Sequence, residues 1–491
     1  MNQWIDRRRS GALLHISSLP GPFKRGVLGE EARAFIDIIA DAGFSVWQFL
    51  PLGPTRDHGS PYESLSSAAG NVEFIDLRDC VSRGWLSQET CQAHINGAIV
   101  FDAALTAAAD GFWQQLSSDA SLANEFDTFL HDNADWLDDY ALFAAIKLDT
   151  ENAPWWQWPK PLRDRSAPAL DKTRAKLSLS IRQIQFQQFL FAEQWQQIKQ
   201  YAEQRGVMMF GDIPIYVAHD SVDVWADRQY FTVNKKGLCD HVAGVPPDYF
   251  SENGQRWGSP LYNWDALQAD DFSWWVKRLR RQLLLMHLFR IDHFRGLESY
   301  WAIPGDSPDG RTGDWLPAPG TALLKTLNKE LGRLPLIAED LGLITPEVTA
   351  LRQAFGLPGM KILQFSFGDD ASNPYLPHHH EHDSVAYTGT HDNDTSLGWF
   401  MSASEHEKWH VANYLDISKD NDVTIAMIRS TLASVSRLAI IPVQDLLALP
   451  TDARFNTPGT LEGNWCWRLE DFDALRLVQE KFQSLNRLYG R

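Results

Sequence analysis

The fold is decided by residues 335–367, which run PLIAEDLGLITPEVTALRQAFGLPGMKILQFSF. The apolar run that starts at Leu336 predicts a strand. Thr345 and Pro346 then predict the start of a helix, because threonine caps helix N-termini and proline suits the first helical turn. A second apolar run, Ile362–Phe367, predicts the next strand. Strand, helix and strand in this order form a βαβ unit, so the two strands should be parallel.

The same alternation recurs along the chain. The apolar runs that predict strands are Phe44–Leu50, Val72–Leu77, Val207–Asp212, Leu283–Asp292, Leu336–Glu339, Ile362–Phe367, Ser384–Asp392 and Leu438–Val443. Eight such runs with helical segments between them favour a (β/α)8 barrel over an open, doubly wound sheet.

The spacing between the predicted strands is uneven, which indicates insertions. Residues 78–183 exceed an ordinary barrel connection and predict a mostly helical inserted subdomain. Residues 214–264 are rich in glycine and proline and predict an active-site loop region that is ordered but flexible. No proline- or serine-rich linker divides the chain, so we expect residues 1–491 to form a single catalytic domain.

The overall composition favours a neutral ligand. The chain has 45 Lys and Arg against 63 Asp and Glu, and its formal net charge of -18 repels nucleic acids and anionic membranes. The 4 scattered cysteines predict reduced thiols, and no apolar stretch is long enough for a signal peptide or a membrane span. We therefore expect a cytoplasmic protein with no nucleic-acid or membrane partner. Most of the 20 Trp should be packing residues, although aromatic rings also stack on sugars.

Three acidic residues, Asp292, Glu339 and Asp392, each end one of the predicted strands. Carboxyl ends of barrel strands meet on the face where barrel active sites form, and paired carboxyl groups there are suited to cleaving glycosidic bonds. Arg290 shares a strand face with Asp292 and should lower its pKa, as an ionised nucleophile needs. Partial desolvation should raise the pKa of Glu339 and suit it to act as a general acid. His391 and Asp392 are candidates for binding sugar hydroxyls and stabilising positive charge at the anomeric carbon.

Glu339 and Asp340 are adjacent and face opposite ways, so only one of them should point at a substrate. The residue pattern by itself does not choose between them.

The chain resembles the amylomaltase, or disproportionating-enzyme, family of 4-α-glucanotransferases, a branch of the α-amylase clan. The motifs that carry the resemblance span nearly the whole chain: Arg9–Pro20, Gly59–Tyr62, Gly211–Pro214, Gly244–Phe250, Arg290–Gly296, Ala338–Gly342, Gly389–Asp394, Asn456–Gly459 and Asn464–Arg468. Each motif is weak alone, and together they are highly specific.

The resemblance implies transfer of α-1,4-glucan segments to glucose or another glucan, without cofactor or metal. It assigns Asp292 as nucleophile, Glu339 as acid/base and Asp392 as transition-state stabiliser. The positions it matches to substrate contacts are Tyr62, Asp212, Arg290 and His391, with Tyr249 and Phe250 on a mobile loop over the site. An α-1,4-glucan hydrolase with the same carboxylates is the alternative, and a catalytically silent glycan-binding protein is disfavoured because all three acids are present. We expect a monomer or a weak homo-oligomer.

Two histidine motifs have other interpretations. His378–His382 is not typical of the family; it predicts a solvated loop, with adventitious metal binding as the minor alternative. His406–His410 matches the H-E-x-x-H pattern of zinc proteases. Ser402 and Glu405 predict a helix start there, and the sequence shows no compelling third ligand nearby, so we regard this match as fortuitous.

Overall fold

The computed structural model describes residues 7–56, 58–247, 251–460 and 462–491. Its strands are β1 (Arg9–Leu13), β2 (Val46–Gln48), β3 (Met208–Pro214), β4 (His241–Val245), β5 (Gln255–Pro260), β6 (Leu288–Asp292), β7 (Ser299–Pro304), β8 (Asp314–Pro317), β9 (Leu336–Ala338), β10 (Gly359–Ile362), β11 (Ser384–Tyr387) and β12 (Leu438–Pro442). Within these described ranges, eight parallel strands form one sheet in the order β10-β11-β12-β1-β2-β3-β6-β9.

The two outer strands of this order meet at a seam. The backbone N–H of Ala338, the last residue of β9, donates to the carbonyl of Pro358, just before β10, at 2.9 Å. The sheet therefore curls into a nearly closed ring with helices between the strands, and the predicted (β/α)8 barrel is confirmed.

The helices surround and extend this barrel. They are α1 (Glu30–Asp41), α2 (Leu77–Ser82), α3 (Gln88–Ile95), α4 (Phe101–Leu116), α5 (Ala120–Asp149), α6 (Lys160–Arg163), α7 (Ala167–Lys176), α8 (Ser178–Gln204), α9 (Val222–Ala226), α10 (Trp264–Ala269), α11 (Ser273–Leu285), α12 (Gly320–Leu331), α13 (Pro346–Ala354), α14 (Ser396–Ser402), α15 (Glu405–Tyr414), α16 (Val423–Ala433), α17 (Val443–Leu446) and α18 (Asp473–Tyr489). Helices α2 to α8 all lie between β2 and β3, where residues 78–183 are mainly helical.

The βαβ unit at β9, α13 and β10 forms as expected. Thr345 is the N-cap of α13, with its side-chain oxygen accepting from the Val348 N–H, and Pro346 is the first helical residue. The second strand begins earlier than predicted, at Gly359, and residues 363–366 form a 3-10 helix instead of extending it.

One predicted strand is wrong and another was missed. Val72–Leu77 forms a 3-10 helix followed by the start of α2, because the side chains of Asn71 and Asp76 cap these turns. The eighth barrel strand is instead β1, Arg9–Leu13, which is buried along its whole length. The predicted run Leu283–Asp292 also begins too early, since its first residues end α11.

A second, antiparallel sheet lies in the segments that join the barrel strands. Its order is β5-β4-β7-β8 among the described residues. Strands β4 and β5 lie in the stretch expected to be a flexible loop, so part of that stretch is regular structure; residues 248–250 between them lie outside the described residues. The described helices include none that is long and apolar enough to cross a membrane.

Candidate active site

Strand register places the first two candidate acids side by side. Strands β6 and β9 pair in parallel with Ile291 beside Ala338. The next residues along the two strands are Asp292 and Glu339, so their side chains leave the barrel at the same level. The backbone N–H of His293 donates to Glu339 Oε2 at 2.7 Å, and that of Leu341 donates to Glu339 Oε1 at 2.9 Å. Glu339 is therefore held by the strand end that carries Asp292.

A buried guanidinium connects Asp292 to two further predicted site residues. Arg290 Nη2 donates to Asp292 Oδ1 at 2.9 Å, to Asp212 Oδ2 at 2.7 Å and to the Tyr62 hydroxyl at 3.0 Å. Asp212 lies directly across from Arg290 in the β3–β6 register and accepts from its Nε at 3.0 Å as well. This network fixes the position of the Asp292 carboxylate at the end of β6.

Tyr62 joins this network to the loop after β11. Its hydroxyl donates to Asp212 Oδ2 at 2.7 Å and lies 2.9 Å from His391 Nε2. A hydroxyl has one hydrogen, and Asp212 receives it, so His391 Nε2 must carry the proton of its ring and donate to Tyr62. Burial lowers the pKa of His391, which keeps this ring neutral. The two rings also stack at a centroid distance of 5.4 Å.

The third acid, Asp392, is held differently. Its Oδ1 accepts from Asn456 Nδ2 at 2.6 Å and lies 3.3 Å from His391 Nε2. Its side chain is 37% exposed, more than that of Asp292 at 33%. Asp392 therefore faces the open cleft on the side of Tyr62 and His391.

The adjacent acids Glu339 and Asp340 separate as strand alternation requires. Asp340 Oδ1 accepts from the Met360 N–H at 2.7 Å, and its Oδ2 pairs with Arg352 Nε of α13 at 3.0 Å. Asp340 thus points toward the helix layer and joins β9 to β10, whereas Glu339 lines the cleft.

The pKa of Glu339 is shifted in the direction expected from the sequence, and the pKa of Asp292 is shifted in the opposite direction. Desolvation raises the pKa of Glu339 to about 7, although Arg290 and two backbone N–H groups oppose the rise. The expected lowering of the Asp292 pKa is wrong. Desolvation raises the pKa of Asp292 above its ordinary value, and nearby carboxylates add to the rise, so together they outweigh the opposing effect of Arg290. Two carboxyl groups this closely coupled titrate as a pair.

The acids lie at the bottom of a cleft of about 620 Å³. Its lining includes Tyr62, Arg290, Asp292, Glu339 and Asp392. Three tryptophans, Trp257, Trp315 and Trp465, also line the cleft, whereas many others are buried in the core. Tyr249 and Phe250, predicted to lie over the site, fall outside the described residues.

Sequence reasoning missed three residues of the site. Asn456, which binds Asp392, lies in one of the motifs that carry the resemblance, and that motif is the signal that points to it. Trp465 lies beside the Tyr62 and His391 rings at centroid distances of 5.9 and 6.1 Å. His293 is 9% exposed, and its Nε2 has no hydrogen-bond partner among the described residues. Trp465 and His293 also lie in such motifs, within Asn464–Arg468 and Arg290–Gly296, although the sequence analysis gave neither residue a role.

The histidines of the His378–His382 motif form hydrogen bonds to neighbouring residues. His378 bonds the Tyr414 hydroxyl at 2.8 Å, His379 the Ala371 carbonyl at 2.9 Å, and the buried His380 the Tyr375 carbonyl at 2.8 Å. The expected solvated loop is therefore wrong for His380.

In the H-E-x-x-H match, Glu407 caps α15 by accepting from the Ser404 backbone and hydroxyl. The helix begins after Ser404, not at the predicted Ser402. The described residues contain no cluster of three potential metal ligands.

Comparisons with known proteins agree with this geometry. The sequence profile of the 4-alpha-glucanotransferase family, glycoside hydrolase family 77, matches residues 14–474. The 4-alpha-glucanotransferase of Thermus thermophilus is 47% identical over 475 residues, which cover 94% of this chain and 95% of that protein. That of Synechocystis is 44% identical and covers 99% of both chains.

A solved amylomaltase from Streptococcus agalactiae, in complex with acarbose, superposes with a TM-score of 0.94 at 36% identity. The match covers 99% of this chain and 100% of that one. The amylomaltase of Corynebacterium glutamicum, at 17% identity and a TM-score of 0.75, covers 99% of this chain and 76% of that one, and shows the shared fold. The chain belongs to the 4-alpha-glucanotransferase family.

Proposed function

We propose that the protein transfers α-1,4-glucan segments from a maltodextrin donor to the 4-hydroxyl of glucose or another glucan, by a retaining double displacement. The observation that carries this proposal is the pairing of Asp292 and Glu339 at adjacent strand ends with different partners. Retaining glycosidases and transglycosidases need one carboxylate as nucleophile and one carboxyl group as acid/base. Membership of the 4-alpha-glucanotransferase family favours transfer over the hydrolase alternative.

In the first step Glu339 donates its proton to the glycosidic oxygen while an oxygen of Asp292 attacks the anomeric carbon. The bond between that carbon and the glycosidic oxygen breaks, and the released segment leaves with the proton. The coupled pair then has to start with its proton on Glu339. Arg290 donates a hydrogen bond to Asp292 Oδ1, and we propose that this contact keeps the negative charge of the pair on Asp292 when the donor binds.

In the second step the 4-hydroxyl of an acceptor attacks the covalent intermediate. Glu339, now ionised, takes the hydroxyl proton, and Asp292 leaves as a carboxylate. Water would give hydrolysis at this point, so the product depends on which hydroxyl reaches the intermediate. Tyr249 and Phe250, which the resemblance places on the loop over the site, are proposed to cover the cleft and favour a sugar acceptor.

The remaining site residues bind and stabilise the reacting sugar. We assign Asp392 to stabilise the positive charge that develops at the anomeric carbon, with Asn456 holding its carboxylate. Tyr62 is proposed to form the wall against which the sugar ring lies, and the buried Asp212 and His391 hold its hydroxyl in place by hydrogen bonds. The acarbose bound to the Streptococcus agalactiae amylomaltase supports a glucan-like ligand in this cleft.

We extend the proposal to the whole chain. Residues 1–491 are proposed to act as one catalytic domain, with residues 78–183 as a helical insertion and residues 214–264 as the active-site loop region. A cytoplasmic location and a monomeric or weakly associated state stay predictions; plant relatives such as that of Solanum tuberosum carry chloroplastic or amyloplastic in their names.

Incubation with maltotriose alone tests the function. The expected products are glucose and a ladder of longer maltooligosaccharides, resolved by anion-exchange chromatography. Glucose and maltose with no chain longer than maltotriose would favour the hydrolase. The Glu339→Gln variant is the matched control, since it removes the proton donor while keeping the side chain's size, and it should form neither product set.

A further inference from the structure

The rim of the cleft carries an exposed tryptophan that the proposed chemistry does not use. Trp315 lies on β8, the outer strand of the second sheet, and 38% of its surface is exposed. Leu343, which is 50% exposed, lines the same cleft. Large apolar side chains exposed together beside a binding cleft indicate a ligand contact.

The Trp315 ring packs against two neighbouring side chains. The Arg295 guanidinium carbon lies 3.7 Å from the centroid of the Trp315 ring, so it covers one ring face. The ring also contacts Trp301, its register partner on β7, at a centroid distance of 5.2 Å. The 38% of the side chain that stays exposed is the part of the indole that Arg295 and Trp301 leave uncovered. A flat apolar surface fixed in this way is suited to the apolar face of a glucose ring.

Arg295 also connects this surface to the loop that bears the acid/base. Its Nη1 donates to the carbonyl of Leu343, four residues after Glu339, and its Nη2 donates to Ser299 Oγ at 3.2 Å. Trp315 and Leu343 are thus joined to the end of β9. The residues that surround the cleaved sugar, Tyr62 and His391, come from other loops.

We propose that Trp315 and Leu343 form a sugar-binding platform for the glucan segment on the acceptor side of the cleavage point. This inference rests on the proposed function, because the acid/base faces the departing segment and the platform adjoins the loop of Glu339. The occupant is an α-1,4-glucan long enough to extend beyond the sugars next to the acids. The platform selects long acceptors and leaving segments over glucose.

Binding to an inactive protein tests the platform separately from transfer. In the Glu339→Gln background, isothermal titration calorimetry with maltoheptaose should show about tenfold weaker binding after Trp315→Ala, with maltotriose binding changed less than about twofold. Trp315→Phe keeps a ring over Arg295 and should restore most of the affinity. Trp409→Ala is the matched control, because Trp409 is 63% exposed on α15 and does not line the cleft.

The active protein gives a second readout. Trp315→Ala should raise the KM for maltoheptaose as acceptor about tenfold and leave kcat and the KM for glucose unchanged. If Trp315→Ala weakened binding of short and long ligands equally, or did not weaken it at all, the platform would be overturned. Transfer by the unmodified protein would still support the proposed function. Trp315-dependent maltoheptaose binding in a protein that forms no ladder from maltotriose would instead overturn the proposed function and keep the platform.

Discussion

Asp292 and Asp445 both lie near the carboxyl end of a barrel strand, Asp292 as the last residue of β6 and Asp445 in α17, just after β12, and their surroundings differ greatly. Asp445 follows β12, is 2% exposed, and accepts hydrogen bonds from Thr388 Oγ1 and from the backbone and hydroxyl of Ser396. The Asp292 side chain, by contrast, is 33% exposed, accepts a hydrogen bond from Arg290 at Oδ1 and lines the cleft. A strand-end carboxylate whose bonds are all made to the protein holds loops together. One that keeps a free side toward a cleft is available for chemistry.

Removing the charge of Asp292, the carboxylate that faces the cleft, should have the largest effect on turnover. Asp292→Asn keeps the shape of the side chain but cannot form the covalent intermediate, so turnover should fall by about 10³-fold or more. The melting temperature should stay close to that of the unmodified protein. Initial rates on maltotriose and a thermal scan measure the two quantities, and near-normal turnover would remove Asp292 as the nucleophile.

The same change at the buried Asp445 should lower the stability of the protein and leave turnover nearly unchanged. Asp445→Asn places an amide N–H₂ against groups that already donate, and each buried group left without a partner costs about 1–3 kcal/mol. We expect the free energy of unfolding to fall by about 3 kcal/mol, measured by urea denaturation. Turnover per folded molecule should change little. A large loss of kcat with unchanged stability would show that the two carboxylates do not differ as described.

A comparison of Glu339 with Asp340 gives the smallest expected effect. Glu339 must be protonated for the first step, and its pKa is raised to about 7, so kcat/KM should fall as the pH rises through about 7. The negative charge of Asp340 contributes to that raised pKa, so Asp340→Asn should move the falling limb to slightly lower pH, by less than about one pH unit. A pH–rate profile from pH 5 to 9 measures both, and a shift to higher pH would contradict the assignment.

The barrel was predictable because seven of its eight strands overlap apolar runs that were predicted as strands. Arg9–Leu13 was not predicted as a strand because an arginine, a serine and a glycine interrupt its apolar character, although all five residues are buried. Val72–Leu77 was wrongly predicted as a strand because most of its residues are apolar and its first residue is β-branched. The side-chain caps at Asn71 and Asp76 favour helical turns there instead. Local capping bonds therefore outweighed strand propensity at this point.

Two acids of the site, Asp292 and Glu339, follow from strand position, whereas Asp392 lies in the loop after β11, which ends at Tyr387, and the partners of the acids do not follow from it either. Asp292 and Glu339 lie in register on paired strands, so the pattern of strand ends brings them together. Asn456 and Trp465 come from a long segment after the last strand, whose path over the barrel depends on tertiary packing and not on local sequence. The direction in which the Asp292 pKa shifts could not be predicted from the sequence either, because it depends on the burial and charges contributed by other strands.

The backbone at His293 has a consequence for how the two reacting groups move. His293 adopts a left-handed conformation, with φ of 55°, and so turns its N–H toward Glu339. That N–H belongs to the peptide plane that joins Asp292 to His293, and its hydrogen bond to Glu339 Oε2 connects the two carboxyl-bearing residues. A displacement of the end of β6 should therefore move both carboxyl groups together and change the distance between them little.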